Sequence, residues 1–254
     1  MSNTNKIALV TGGSRGLGRN MAESLAADGH DVILTYVSKK EEAEQVAAAI
    51  EATGRRAAAL RLDVGDTKSF DGLITELRAL LASKFGAERF DFLINNAGIG
   101  GTIPFTTATE EDFDRFNNVH YKGVFFLTQK ALPLINDGGR IVNISSGTTR
   151  FANPGYAIYA SMKGAVETLT KYWAKEFGAR QITVNIVAPG PVETDFNNAA
   201  IRSNPELKAR LGALTALGRV GVAEDIGPVV SFLCSEGGRW ISGQRIEVSG
   251  GINL

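Results

Sequence analysis

The sequence is poor in residues that staple, anchor or charge a protein. Cys234 is the single cysteine among 254 residues, so no intramolecular disulfide can form, and a reducing compartment fits. Two histidines, His30 and His120, together with that one cysteine argue against a Cys/His zinc site. Net charge is absent as well, since 27 Lys and Arg balance 27 Asp and Glu. No basic cluster offsets that balance, so neither nucleic acid nor an anionic membrane is expected as a partner. No apolar run reaches the ~18 residues that a spanning helix needs. Residues 1–6 are polar and lead into an apolar segment too brief for a signal peptide. These features together predict a soluble, cytoplasmic protein.

What remains is an ordinary globular composition, 44% hydrophobic, in a chain long enough to bury roughly three-quarters of its unfolded surface. Short apolar runs at 7–10, 32–36, 57–64, 90–95, 140–144, 182–188 and 245–248 read as buried strands. Stretches with helical spacing lie between them. Ser38 with Glu41, and Thr109 ahead of three acids, read as helix starts. The second of these opens a long helix running towards Leu132, and another runs from Tyr159 to Phe177. Strands alternating with helices predict one α/β domain over 1–254, a doubly wound, Rossmann-type parallel sheet of seven strands with helices on both faces. The polar stretch 194–218 has the weakest pattern and is expected to form a lid.

Thr11-Gly12-Gly13-Ser14-Arg15-Gly16-Leu17-Gly18 stands where the first strand gives way to the first helix. A helix start offers free N–H groups and positive potential to phosphate, and glycines let backbone approach it. The spacing is Gly-x-x-x-Gly-x-Gly, one residue longer than the commoner dinucleotide fingerprint. An NAD site places an acid at the end of the second strand to bind the ribose hydroxyls. Tyr36, Val37 and Ser38 occupy that place, followed by Lys39 and Lys40. Arg15 and Lys39 would attract a 2′-phosphate, so the expected cofactor is NADP(H) rather than NAD(H).

Tyr159 and Lys163 are spaced i, i+4, so they share a helix face. A phenol titrates near pH 10, and one cation at ~4 Å in a dielectric of ~20 supplies about 4 kcal/mol. On that scale Lys163 is able to lower the Tyr159 phenol by 2–3 units. Ser146 follows the strand at 140–144, at the end where such sheets bind ligands. Its hydroxyl is placed to hold a substrate oxygen.

That conjunction resembles the short-chain dehydrogenase/reductase family, along essentially the whole chain, through Thr11 to Gly18, Asp63-Val64, Asn95-Asn96-Ala97-Gly98, Ser146, Tyr159-x-x-x-Lys163 and Pro189-Gly190 with Thr194. The chain looks most similar to the carbonyl and 3-oxoacyl reductase group. The resemblance implies hydride transfer between a nicotinamide and a carbonyl or secondary alcohol, with Tyr159 as general acid or base. It implies that Asp63 and Val64 flank the adenine and that Asn95, Ala97 and Gly98 shape the sheet beside the cofactor. Pro189, Gly190, Val192 and Thr194 would lie against the nicotinamide, and Lys163 would also bind its ribose. Tetramers are common in the family, so a homotetramer or homodimer built on the helices beginning near Thr109 and Tyr156 is expected. The family usually carries an asparagine where His120 stands here, so His120 is a candidate for the proton relay, able to donate, accept and titrate near neutrality. Phe151, Tyr156, Phe196 and the segment to Leu217 would form an apolar substrate pocket. The competing reading is a non-catalytic NADP(H)-binding sensor or scaffold, which a missing Tyr159 or Lys163 would have favoured.

Overall fold

Seven strands form one sheet in the order β3-β2-β1-β4-β5-β6-β7. They are β1 (Ile7–Val10), β2 (Asp31–Tyr36), β3 (Ala57–Arg61), β4 (Phe90–Asn95), β5 (Ile135–Ile144), β6 (Thr183–Pro189) and β7 (Arg245–Val248). A computed structural model describes residues 5–254, and the polar start at 1–4 lies outside the described residues. Every strand pairing is parallel, as the alternation of strands and helices predicts. β1, β4 and β6 are buried at every residue, because helices cover both faces and leave no solvent side.

Neighbouring residues of β1 sort to opposite faces, as strand geometry requires. Ala8 and Val10 pack under α1 (Gly16–Ala27), α2 (Lys40–Ala52) and α9 (Gly227–Cys234), in a core with Met21, Leu25, Val46 and Leu233. Ile7 and Leu9 face the layer formed by α3 (Phe70–Leu80), α5 (Gly123–Ala131) and α6 (Ala157–Glu176), with Leu77, Val124 and Trp173. The strand order reverses between β1 and β4, and the crevice beyond their carboxyl ends is where ligands bind in such sheets.

Four expected boundaries move. β3 ends at Arg61, three residues early, as the chain turns at Asp63 and Asp66. β5 starts at Ile135 and carries an irregular register opposite Phe90 and Phe92. The long helix from Thr109 is interrupted: α4 (Glu110–Asn117) passes into a π-helical turn (Asn118–Lys122) before α5. Thr109 and Asp112 cap α4 reciprocally, whereas the Ser38 box does not form, since Lys39 takes the cap position of α2 without a side-chain bond. Within 194–218 lie a one-turn element, α7 (Phe196–Ala199), and α8 (Pro205–Ala213). Asn197, Asn198 and Ala199 are left-handed, with φ of 54°, 56° and 56°, a conformation that costs an ordinary L-residue roughly 1–2 kcal/mol.

Candidate active site

The glycine turn is pinned by its own Thr11, by Asn96 just after β4 and by Thr35 of β2, whose hydroxyl accepts from the Gly12 amide (3.2 Å). Thr11 Oγ1 donates to the Ile94 carbonyl (3.2 Å) and accepts from the Asn96 and Ala97 amides (2.9 and 3.0 Å). Asn96 Nδ2 returns bonds to the Thr11 and Gly12 carbonyls (2.8 and 3.2 Å). Gly18 then permits α1 to press onto the turn, for a Cβ there would stand 2.1 Å from the Gly12 carbonyl oxygen. Arg15 precedes α1 without any side-chain cap bond, so the first N–H groups of α1 face the crevice and suit a phosphate. A cleft of about 410 Å³ opens beside Gly16 and Thr194, where Arg19 and Arg202 share the lining with the carboxylates of Glu23, Glu193 and Glu224, so the anion-binding groups are the amides of the turn itself. This cradle fits a dinucleotide pyrophosphate.

The loop after β6 crosses to this turn. Thr194 is buried and its methyl side lies against Gly16. Val192 bridges to Gly221, and Gly190 packs on Ser249 so closely that a Cβ would lie 2.8 Å from its Cα. At the far end of the crevice, Lys39 is exposed and paired with Glu42 (3.1 Å), and Ser38 is exposed beside it. Arg61, the register partner of Tyr36, donates to the Val37 carbonyl (3.4 Å) and adds a second cation near that loop. Asp63 folds back on the Gly65 amide, and Val64 is buried.

Tyr159, Lys163 and Ser146 meet at the carboxyl end of β5. The Lys163 ammonium donates to the Ile144 carbonyl (2.7 Å) and lies 5.7 Å from the Tyr159 ring centre. Burial lowers Lys163 to about 8. Burial also pushes the Tyr159 phenol up to about 12, outweighing the hydrogen-bonding Ser146 hydroxyl that pulls it down. This corrects the sequence expectation: the penalty for placing charge in a dry site decides the direction. Tyr159 is therefore protonated at neutral pH.

His120 sits on the π turn, fully buried, edge-on to Tyr159 at 5.0 Å between ring centres and stacked on Phe116. Gly98 makes room for it, since a Cβ there would lie 2.9 Å from the imidazole Cε1. Burial, reinforced by the Lys163 cation, lowers His120 to about 2, against the pull of the Ile99 carbonyl. The ring is neutral, and the expectation that it titrates near neutrality is overturned. Its Nε2 lies 2.9 Å from the Ile99 carbonyl oxygen, leaving Nδ1 buried without a partner among the described residues.

Asn95 turns into the core rather than towards the crevice. Its amide is buried between Thr128 Oγ1 (3.0 Å) and Asn143 Oδ1 (2.8 Å), a support inside the core. Sequence reasoning singles out Asn95, yet the neighbouring Asn96 holds the turn. Strand alternation was the signal, because adjacent residues point to opposite faces. Arg61 and Glu167, whose carboxylate bonds the strand end beside Ser146, lie outside the residues the sequence singles out, and Thr11 figures there only as the start of the turn, not as its anchor.

A family model described as Enoyl-(Acyl carrier protein) reductase matches residues 12–253. An uncharacterized oxidoreductase of Methylorubrum extorquens is 39% identical, over 97% of this chain and 97% of its own. A 3-oxoacyl-[acyl-carrier-protein] reductase of Staphylococcus aureus is also 39% identical, over 98% of each chain. The angucycline C-6 ketoreductase LanV, solved with bound NADP, superposes with a TM-score of 0.93 at 41% identity, covering 99% of this chain and 97% of that one. The chain belongs to the short-chain dehydrogenase/reductase family. As a member of that family it is an oxidoreductase that exchanges hydride between a nicotinamide cofactor and a carbonyl or alcohol. Among the described residues no helix is long and apolar enough to cross a membrane, and no cluster of His, Cys, Asp and Glu could hold a metal.

Proposed function

We propose that this short-chain dehydrogenase/reductase uses NADPH to reduce an apolar, ring-bearing ketone, with Tyr159 giving the proton. The observation that carries the reading is the Tyr159 phenol set among the rings of Phe116, Tyr156 and Phe196, with Lys163 beneath it, a dry site in which burial favours the protonated form. Reduction of a ketone leaves an alkoxide that must take a proton, and a neutral phenol is the form able to give one. Oxidation would need the phenolate, which burial disfavours.

When bound, NADPH supplies the hydride. The N–H groups of the turn from Gly12 to Gly18, with Ser14, Arg15 and Leu17, would hold the pyrophosphate. Ser38, Lys39, Arg15 and Arg61 would favour a 2′-phosphate, and Asp63 and Val64 would flank the adenine. Ala97, Gly98, Pro189, Gly190, Val192 and Thr194 bound the nicotinamide side, and LanV, of the same fold, was solved with NADP. Ser146 orients the ketone oxygen towards the Tyr159 hydroxyl. Lys163, fixed by the Ile144 carbonyl, favours the charge that develops on Tyr159 as the proton leaves and also holds the nicotinamide ribose. His120 Nδ1 offers a fixed acceptor in the relay behind Lys163, taking the asparagine's place without changing charge.

Aromatic rings support the substrate class. Tyr156 and Phe196 lie 6.3 Å from the Tyr159 ring centre, flat walls that suit a planar ligand. One structure of LanV carries rabelomycin beside NADP, and hydroxynaphthalene reductase-like proteins of Metarhizium are 37% identical to this chain. Residues 194–218 form the lid over that pocket. Phe113, Phe126 and Tyr172 are exposed on α4, α5 and α6, apolar surface that a homotetramer would bury, and the single cysteine supports our placing the protein in the reducing cytoplasm.

The test is NADPH oxidation with α-tetralone and with a linear 3-oxoacyl thioester, repeated with NADH and with Tyr159→Phe. Faster turnover of the bicyclic ketone and tighter NADPH than NADH are expected. Preference for the linear thioester would refute the substrate class, and tighter NADH would refute the cofactor choice.

A further inference from the structure

Ser146 is held from behind by a charged network that the mechanism above does not use. We infer that Glu167 is a positioning residue that fixes Ser146 against Tyr159; this rests on the reading of Ser146, Tyr159 and Lys163 just given. Glu167 lies on α6, one helical turn past Lys163 and two past Tyr159, so the three share one face. Its Oε1 accepts bonds from Ser145 Oγ (2.6 Å), Thr149 Oγ1 (2.8 Å) and Arg245 Nε (2.8 Å). Ser145 precedes Ser146 in the chain, and Thr149 closes the 3-10 turn that follows it. The carboxylate therefore grips Ser146 from both sides.

Lys163 adds a grip two residues before Ser146, through the Ile144 carbonyl. The helix that carries Tyr159 thus fixes the strand end that carries Ser146 at three points. Ser146 Oγ accepts from the amide and hydroxyl of Thr148 (3.2 and 3.0 Å), which directs its own proton outward to the site. Beyond Glu167, Arg245 reaches Glu247 (3.0 Å), and Arg150 clamps both Glu247 oxygens at 2.8 Å. Arg150 also donates to the carbonyls of Ile252 and Asn253. The Ser146 turn is therefore fastened to α6 on one side and to the C-terminal tail on the other.

One carboxylate oxygen takes three donors, and bonds to a charged acceptor are about twice as strong as neutral ones. Glu167 is 18% exposed and Arg245 24%, so solvent screens the pair only in part. Neutralising Glu167 should loosen all three bonds together and let the Ser146 hydroxyl drift from the substrate oxygen. A purely structural role would lower the melting temperature and leave turnover per folded molecule unchanged.

The test compares Glu167→Gln, Glu167→Asp, Ser145→Ala and the Glu167→Gln/Ser145→Ala double variant in the intact chain, with Tyr159→Phe as control. The readouts are the melting temperature, the NADPH Kd by fluorescence, and kcat and KM for α-tetralone. Misplacement by about 1 Å can cost about a hundredfold in rate, so Glu167→Gln is expected to lower kcat about tenfold or more, with the NADPH Kd nearly unchanged. Glu167→Asp, which keeps the charge, should recover part of that loss. The double variant should be no slower than Glu167→Gln alone. Parent-like kcat in Glu167→Gln, or losses that multiply in the double variant, overturns the inference. Should Glu167→Gln fail to melt cooperatively, Ser145→Ala carries the test: reduced kcat supports the inference and parent-like kcat overturns it. If the parent does not reduce the ketone, or Tyr159→Phe matches it, the site reading itself fails and the inference falls with it.

Discussion

Tyr159 stands among four rings, those of Phe116, His120, Tyr156 and Phe196, and that apolar company decides its chemistry. The i, i+4 spacing made the Tyr159–Lys163 pair legible, because neighbours on a helix face are set by local geometry. The direction of the pKa shifts was not legible, because desolvation depends on what long-range packing brings around the groups. The same packing holds His120 neutral. Replacing it by asparagine should therefore leave the pH–rate profile of ketone reduction in place while lowering turnover several-fold. The alkaline limb belongs to Lys163, whose ammonium is present below its folded value of about 8 and lost as pH rises through it. Steady-state kinetics from pH 5 to 9 checks this. A transition near pH 6–7 that disappears in His120→Asn would show a titrating imidazole instead.

At the scale of elements, the glycine turn was legible because strand, glycines and helix start are consecutive. The π turn carrying His120 was not. It arises where α5 meets the loop after β3, with Gly123 so close to the Val64 carbonyl that a Cβ would lie 2.1 Å from its oxygen. The two cap signals divided for a local reason. Thr109 has the extended backbone of a cap, with φ of –103° and ψ of 165°, and Asp112 three residues on answers it, whereas Ser38 stands one residue too early. Thr109→Ala should therefore cost about 1 kcal/mol of stability, and Ser38→Ala close to none. Urea unfolding of both variants checks the difference; equal losses would contradict it.

For the whole molecule, the alternation of seven apolar runs with helices was enough to give a parallel sheet covered on both faces. The ion network joining α6, β5, β7 and the C-terminal tail was not, because its partners Arg150, Glu167, Arg245 and Glu247 are up to 97 residues apart. Burial pushes Glu247 upward, but bonds from Arg150, Ser249 and Arg245 outweigh it and hold the carboxyl at about 2. A folded value below the unfolded one, about 4.3, means that the network stabilises above that pH and loses its effect as pH falls towards 2. The stability advantage of the parent over Glu247→Gln should be full at pH 6 and gone near pH 2, read by urea midpoints. An advantage that does not change with pH would contradict this.

All of these features converge on one protonated phenol in a dry crevice beside a dinucleotide cradle. The most direct measurement is kcat for ketone reduction by Tyr159→Phe, taken with its NADPH Kd. General acid catalysis contributes about 10²–10⁴-fold, so a loss of that size with the Kd unchanged is predicted. A variant that turns over at the parental rate, with NADPH bound equally well, would contradict the account.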